Sequence, residues 1–163
     1  MNAIAWAGRA VGALESLQPL ALLAARLYLA QVFFLAGLTK IRDWETTILL
    51  FENEYAVPLL SPTLAALLGT AGELVLPVLL VLGLAGRVAA LGLFVVNAVA
   101  VVSLAEITEA ALQQHQFWGS LLLGLVLWGP GRWAVDAWLA PRLSSWLSSR
   151  LSSRSRSLFT PRS

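Results

Sequence analysis

Five polar side chains stand inside otherwise apolar runs: Arg26, Gln31, Glu73, Asn97 and Arg132. A charge within a membrane-crossing segment costs a few kcal/mol, so each is a site candidate by default. At a rise of ~1.5 Å per residue, Arg26 comes out ~10 Å above the start of the first run and Gln31 ~16 Å above it. On the same scale Glu73 and Asn97 each lie ~16 Å from that face, and Arg132 ~5–10 Å from it. Polar groups at a shared depth on four helices could line a small pocket open to the cytoplasmic leaflet. Its occupant would be the head of a quinone, a lipid or another small amphipathic molecule. Glu73 would accept or relay protons there, and the arginines would bind a carbonyl or an anionic oxygen. The same residues also fit a purely structural arrangement. Glu73 and Arg26 could pair to set helix register, Gln31 and Asn97 could bond between helices at about 0.6 kcal/mol each, and Arg26 could snorkel to the head groups.

Other chemistries find no residues to carry them. The chain has 0 Cys and 1 His, which excludes disulfides, CxxC thiol redox and thiolate metal sites. His115 lies in a polar loop with Glu106 and Glu109 and reads as a solvated histidine. A bis-histidine haem would need a second imidazole. There is no GxxxxGK[ST], GxGxxG, HExxH or GxSxG pattern, so nucleotide, zinc-protease and esterase readings have no support. No catalytic residue and no metal site is assigned.

The elements that must position these groups follow from composition. Of 163 residues, 58% are apolar and 12% charged, and the mean hydropathy is +0.77. An average soluble domain carries about 25% charged residues, so an ordinary soluble enzyme and a disordered chain are both excluded. A helical span takes ~20 mostly apolar residues, and four such runs are found, at about residues 20–39, 62–84, 86–105 and 117–138. The fourth is interrupted by Gly129-Pro130-Gly131-Arg132. It either bends there or ends near Trp128, with Trp133 and Trp138 as interfacial residues. The first run is no cleaved signal peptide, because Arg26 lies within it and no small-x-small cleavage site follows. The expected fold is an all-α membrane protein, a bundle of four transmembrane helices. Small residues such as Ala65, Gly69, Gly72 and Gly92 would let its helices approach closely.

Charge sets the expected orientation. With four spans, Arg9, Arg87, Arg132, Arg142, Arg150, Arg154, Arg156 and Arg162 share one side, and Lys40 and Arg42 the other. The positive-inside rule then predicts both termini in the cytoplasm. Residues 1–19 form a cytoplasmic N-terminal segment, 20–139 the membrane domain and 140–163 a basic Ser/Arg-rich tail. In the first outer loop, Ile41 to Ser61, the residues Trp44, Ile48, Phe51 and Tyr55 repeat at helical spacing. They predict an amphipathic helix at the membrane interface. In the tail, Leu143, Trp146, Leu147 and Leu151 predict a basic helix on the cytoplasmic surface, so Trp44, Phe51 and Trp146 are the expected interface residues. The arginine-rich tail accounts for a pI of about 9.7; its charge faces anionic lipid, and nucleic-acid binding is not implied.

Three segments together resemble a known family. Arg26-Leu27-Tyr28 through Phe33-Phe34-Leu35-Ala36-Gly37-Leu38-Thr39-Lys40 is similar to the first helix of the DoxX family. Gly72-Glu73-Leu74, followed by Leu82-Gly83-Leu84 and Arg87, resembles its second helix and tight turn. Gly129-Pro130-Gly131-Arg132-Trp133-Ala134-Val135-Asp136 is similar to its closing GPGRWSLD-type motif, with Ala134 where Ser is common. The resemblance covers residues 20 to 140. It implies a four-helix protein of the bacterial inner membrane, acting as an accessory membrane subunit of a redox or stress-response system. Quinone is the cofactor implied, and any enzyme role would be as a subunit of a quinone-linked oxidoreductase. The alternative is a non-catalytic scaffold or anchor for soluble partners in metal or oxidative-stress handling. Partners would be the lipid bilayer and either other proteins or further copies of the chain. Members of the redox-thiol branch carry cysteines, and this chain does not.

Overall fold

The computed structural model describes residues 3–139 and 141–142. Among the described residues the main helices are, in order, α1 (Ala3–Arg42), α2 (Trp44–Asn53), α3 (Pro62–Leu82), α4 (Gly86–Ser103) and α5 (Glu109–Trp128); residues 135–139 are helical as well. Their ends are set by local chemistry. Asp43 caps α2, its carboxylate accepting from the Thr46 N–H at 3.0 Å and the Thr46 hydroxyl at 2.7 Å; these bonds hold its carboxyl below the usual carboxylate range. Pro62 occupies the first turn of α3, where no N–H is required. Gly83 ends α3 with φ 67°, and the N–H groups of Gly83 and Leu84 return to the carbonyls of Leu80 and Leu79, a Schellman motif. Thr108 caps α5 through the Ala111 N–H.

Among the described residues, three helices are long and apolar enough to cross a membrane: Trp6–Arg42, Pro62–Leu82 and Gly86–Ser103. Their exterior is apolar, with Leu35, Leu67, Val75, Leu91 and Val95 all exposed. That inversion of the soluble pattern suits a hydrocarbon surround. The core draws on four helices, with Leu29 and Phe33 from α1, Leu80 from α3, Ala89, Ala90 and Leu93 from α4, and Leu122 and Leu125 from α5. α1 packs most extensively on α3, and α4 on α5.

The chain order gives the bundle two ends. One carries the α3–α4 turn and the segment after α5, and we call it the turn end. The other carries α2 and the loops around it. There Phe51 packs with Ala65 and Ala66, and the Ala56 N–H donates to the Ser103 carbonyl at 2.8 Å. That strand-like bridge straps the α2–α3 loop to the end of α4, so we call this the strap end.

α1 runs unbroken from Ala3 through Pro19 into the first apolar run, so residues 3–19 and that run form one helix. At ~1.5 Å per residue α1 is ~60 Å long, and Trp6 to Gln18 are exposed on every face. The fourth run is a helix at 109–128: it begins earlier than expected and, of the two endings offered by the Gly129-Pro130-Gly131-Arg132 break, takes the one at Trp128. Gly129 and Gly131 take φ of 84° and 86°, and Pro130 between them cannot donate to a helical ladder. Of the residues expected at the membrane interface, Trp44 is exposed and Phe51 is 8% exposed, packed on Ala65 and Ala66 of α3. The tail helix and Trp146 lie outside the described residues.

The turn end is closed by a cap delivered from a distance. α4 starts at once after Gly83-Leu84-Ala85, leaving no side chain of its own to bind its first N–H groups. The Asp136 carboxylate does so instead, accepting from the N–H of Ala85 at 2.8 Å and of Gly86 at 2.7 Å, while its own N–H donates to the Gly83 carbonyl at 3.0 Å. Asp136→Ala is therefore expected to lower stability by about 1–2 kcal/mol, the usual cost of a lost N-cap. Asp136→Asn, which keeps one acceptor, should cost less. Reversible unfolding in mixed micelles, followed by helical circular dichroism, measures both.

Candidate functional site

Helix periodicity decides which polar groups meet. On α1, Arg26, Ala30, Phe33, Gly37 and Lys40 share one face, and on α3 so do Ala66, Thr70, Glu73, Pro77 and Leu80. These faces pack against each other, and they carry two distinct polar contacts, about four turns apart on α1 and about two on α3.

At the strap end, the Lys40 ammonium donates to both Glu73 carboxylate oxygens, Nζ–Oε1 at 2.8 Å and Nζ–Oε2 at 2.6 Å. The Glu73 side chain is 10% exposed and that of Lys40 24%, so the pair is largely withdrawn from its surroundings. Among the described residues it is the one salt bridge. A cavity of about 180 Å³ lies against it, lined also by Tyr55, Phe51, Ser103 and apolar residues of α3 and α4. Phe51 and Tyr55 stack at 4.8 Å and 25°. Burial, with the charges of Glu73 and Glu54 adding to it, pushes the Tyr55 phenol above its usual range. Tyr55 thus remains a neutral O–H donor at ordinary pH. The cavity walls hold a cation, an anion and two hydroxyls within an apolar surround, enough to donate to one oxygen of a ligand and accept from another.

At the turn end, Arg26 is 1% exposed and meets no carboxylate directly. Its Nε donates to the Leu80 carbonyl at 2.8 Å, its Nη1 to the Pro130 carbonyl at 2.9 Å and its Nη2 to the Val81 carbonyl. The guanidinium closes the C-terminus of α3, where free carbonyls carry the negative end of the helix dipole, and Asp136 lies within electrostatic reach.

The five sequence candidates are not brought together. Arg26 and Glu73 do not pair; Arg26 bonds to carbonyls at the end of α3, and Glu73, midway along that helix, to Lys40. Asn97 bonds to α5 instead, its amide donating to the His115 carbonyl at 3.0 Å while its oxygen meets His115 Nδ1 at 2.8 Å. His115 is accordingly no solvated loop residue. It sits half-buried on α5, edge-on to Trp118 at 5.0 Å, and the Trp118 indole donates to the Tyr28 hydroxyl at 3.1 Å. Gln31 falls off the buried face of α1 and lines an outer apolar groove with Leu27, Phe34 and Pro77. Arg132 lines a separate groove at the turn end. Lys40, Tyr55, Ser103 and Asp136 are residues that sequence reasoning misses. A signal for Lys40 does exist, because it follows Arg26 by fourteen residues, two full heptads on one helix face. Tyr55, Ser103 and Asp136 act across tertiary contacts that leave no local signal.

A family profile described as DoxX matches residues 6–106, which takes in α1 from Trp6 through all of α4 and includes Lys40, Tyr55, Glu73 and Ser103. The segment from Gly129 to Asp136 lies beyond the match. No curated protein and no solved structure matches the chain.

Breaking a buried ion pair strands one charge, whereas replacing both members with apolar groups removes the desolvation penalty as well. Glu73→Leu is therefore expected to destabilise the fold by about 3 kcal/mol. Combining it with Lys40→Met should restore most of that loss. The double-mutant cycle, measured by unfolding in mixed micelles, tests this; equal losses in the single and double variants would refute it.

Proposed function

We propose that this chain, which belongs to the DoxX family, is a four-span membrane subunit that binds the polar head of a quinone or similarly sized amphipathic molecule in the Lys40–Glu73 cavity. The carrying observation is the ion pair itself, buried beside Tyr55 and Ser103 in a cavity of about 180 Å³. Pockets that enclose a whole drug-sized ligand run to roughly 300–1,000 Å³. A space smaller than that suits one ring, with an apolar tail left along the helices. A quinone carbonyl would accept from Lys40 or Tyr55, and a quinol hydroxyl would donate to Glu73. Electrons would come from a partner subunit; this chain's part is binding and proton exchange at Glu73.

In this reading the membrane is the bacterial inner membrane, α5 is the fourth span, and both termini are cytoplasmic. The excess of arginine on the side of the turn end supports the orientation. The cavity then opens toward the outer leaflet, at the opposite end from the pocket expected from residue depth. The subunit would serve a redox or stress-response system. A second reading, an anchor for soluble partners, draws support from the N-terminal half of α1, whose Trp6, Leu14 and Leu17 are exposed. Capture of a partner that survives loss of the cavity but not of residues 3–16 would favour that role.

Labelling by a photoreactive quinone analogue in native membranes tests the binding role. One charge-assisted hydrogen bond is worth about 1.5–3 kcal/mol, so Lys40→Met/Glu73→Leu should cut labelling at least tenfold and Tyr55→Phe severalfold. Gln31→Ala should leave it intact. Undiminished labelling of the folded double variant would reject the site.

A further inference from the structure

The segment Gly129-Pro130-Gly131-Arg132-Trp133-Ala134-Val135-Asp136 accounts for itself almost residue by residue. Gly129 and Gly131 supply positive φ. Pro130 gives its carbonyl to Arg26 and packs so closely on Gly86 that a Cβ there would sit 2.6 Å from the proline ring. Ala134 fills the space over Gly83, where an added Cβ would lie 2.5 Å away. Asp136 caps α4. Arg132 has no such task in the fold. It is exposed, and it makes no hydrogen bond or ion pair among the described residues.

Arg132 lines a groove of about 640 Å³ between the first half of α1 and the chain after α5. A second guanidinium, that of Arg87, lies in the same groove. Its contact to the fold is a long 3.4 Å approach to the Leu127 carbonyl at the end of α5, and it lies over Gly129, whose missing Cβ would be 3.2 Å from Nε. The remaining charged groups are acidic. Asp136 is committed to the α4 N-terminus through both oxygens, and Glu15, with Gln18, stands on the α1 wall. Two guanidiniums with unused donors thus face one uncommitted carboxylate. Trp128, Trp133 and Trp138 surround this end at 66%, 60% and 70% exposure. Exposed tryptophans at one level are the mark of a membrane–water interface, so the groove lies where phospholipid phosphates lie.

We propose that this groove is a binding site for the head group of an anionic glycerophospholipid. Arg132 and Arg87 bind the phosphate diester, as planar forks suited to its oxygens. Glu15 and Gln18 accept from a head-group hydroxyl such as those of phosphatidylglycerol, and the acyl chains run down the apolar exterior of the bundle. The site is independent of the quinone cavity, which lies at the other end.

Native mass spectrometry of the full chain in mild detergent, titrated with phosphatidylglycerol, phosphatidylcholine or inorganic phosphate, tests the assignment. One saturable phosphatidylglycerol adduct is expected, at least tenfold tighter than that of phosphatidylcholine. Arg132→Gln should weaken it about tenfold, and Arg87→Gln/Arg132→Gln further, while the Arg132→Gln protein melts as the parent does in phosphatidylcholine micelles. Equal affinity for the two lipids, or affinity unchanged in the double variant, would overturn the proposal. Inorganic phosphate displacing the lipid at equal concentration would also overturn it, by pointing to a soluble anion as the occupant.

Discussion

A backbone carbonyl buried in a packed interior has no water to turn to, and two features of this chain bury such carbonyls inside the bundle: the end of α3 and the break at Pro130. Arg26 answers both at once. One guanidinium reaches Leu80, Val81 and Pro130, using the fixed fork of donors that a lysine lacks. Much else at this end depends on the contact. It holds the Pro130 segment against the α3–α4 turn, which brings Asp136 over the open N-terminus of α4. It also sets how α1 lies along α3, and with it the approach of Lys40 to Glu73.

The two ends divide labour as a result. At the turn end the Leu80, Val81 and Pro130 carbonyls and the first N–H groups of α4 are answered within the chain, and Arg132 and Arg87 keep unused donors. The strap end is open by comparison. Its ion pair borders empty space rather than packed side chains, and its roof is a short helix held by Phe51, Tyr55 and one backbone bridge to α4.

Which polar residues point inward is partly legible in the sequence. Arg26, Glu73 and Asn97 lie on buried faces, as their cost in a membrane helix requires. Depth along the helix axis is the wrong coordinate for grouping them, because groups at one height on four helices can face four directions. Angle around the axis separates them: Lys40 shares the face of Arg26, and Gln31 does not. His115 looks like a loop residue because its polar neighbours Gln113, Gln114 and Gln116 suggest one, while the Thr108 cap and the Asn97 contact build that stretch into α5.

By itself the sequence determined the solvent and the class of fold. Long apolar runs with few charges can satisfy their backbones only as helices in lipid, and the absence of cysteine removed thiol chemistry whatever the packing. The helix breaks at Gly83 and Gly129-Pro130 were likewise written locally, in residues that tolerate positive φ or lack a donor. Partners were decided only by tertiary structure. A charge in a membrane helix must be neutralised, but several groups can do it, and helix register chose Lys40 for Glu73, carbonyls for Arg26 and an imidazole for Asn97. Contacts between residues 18 to 104 positions apart leave no trace in local spacing, because they exist only once the helices have packed.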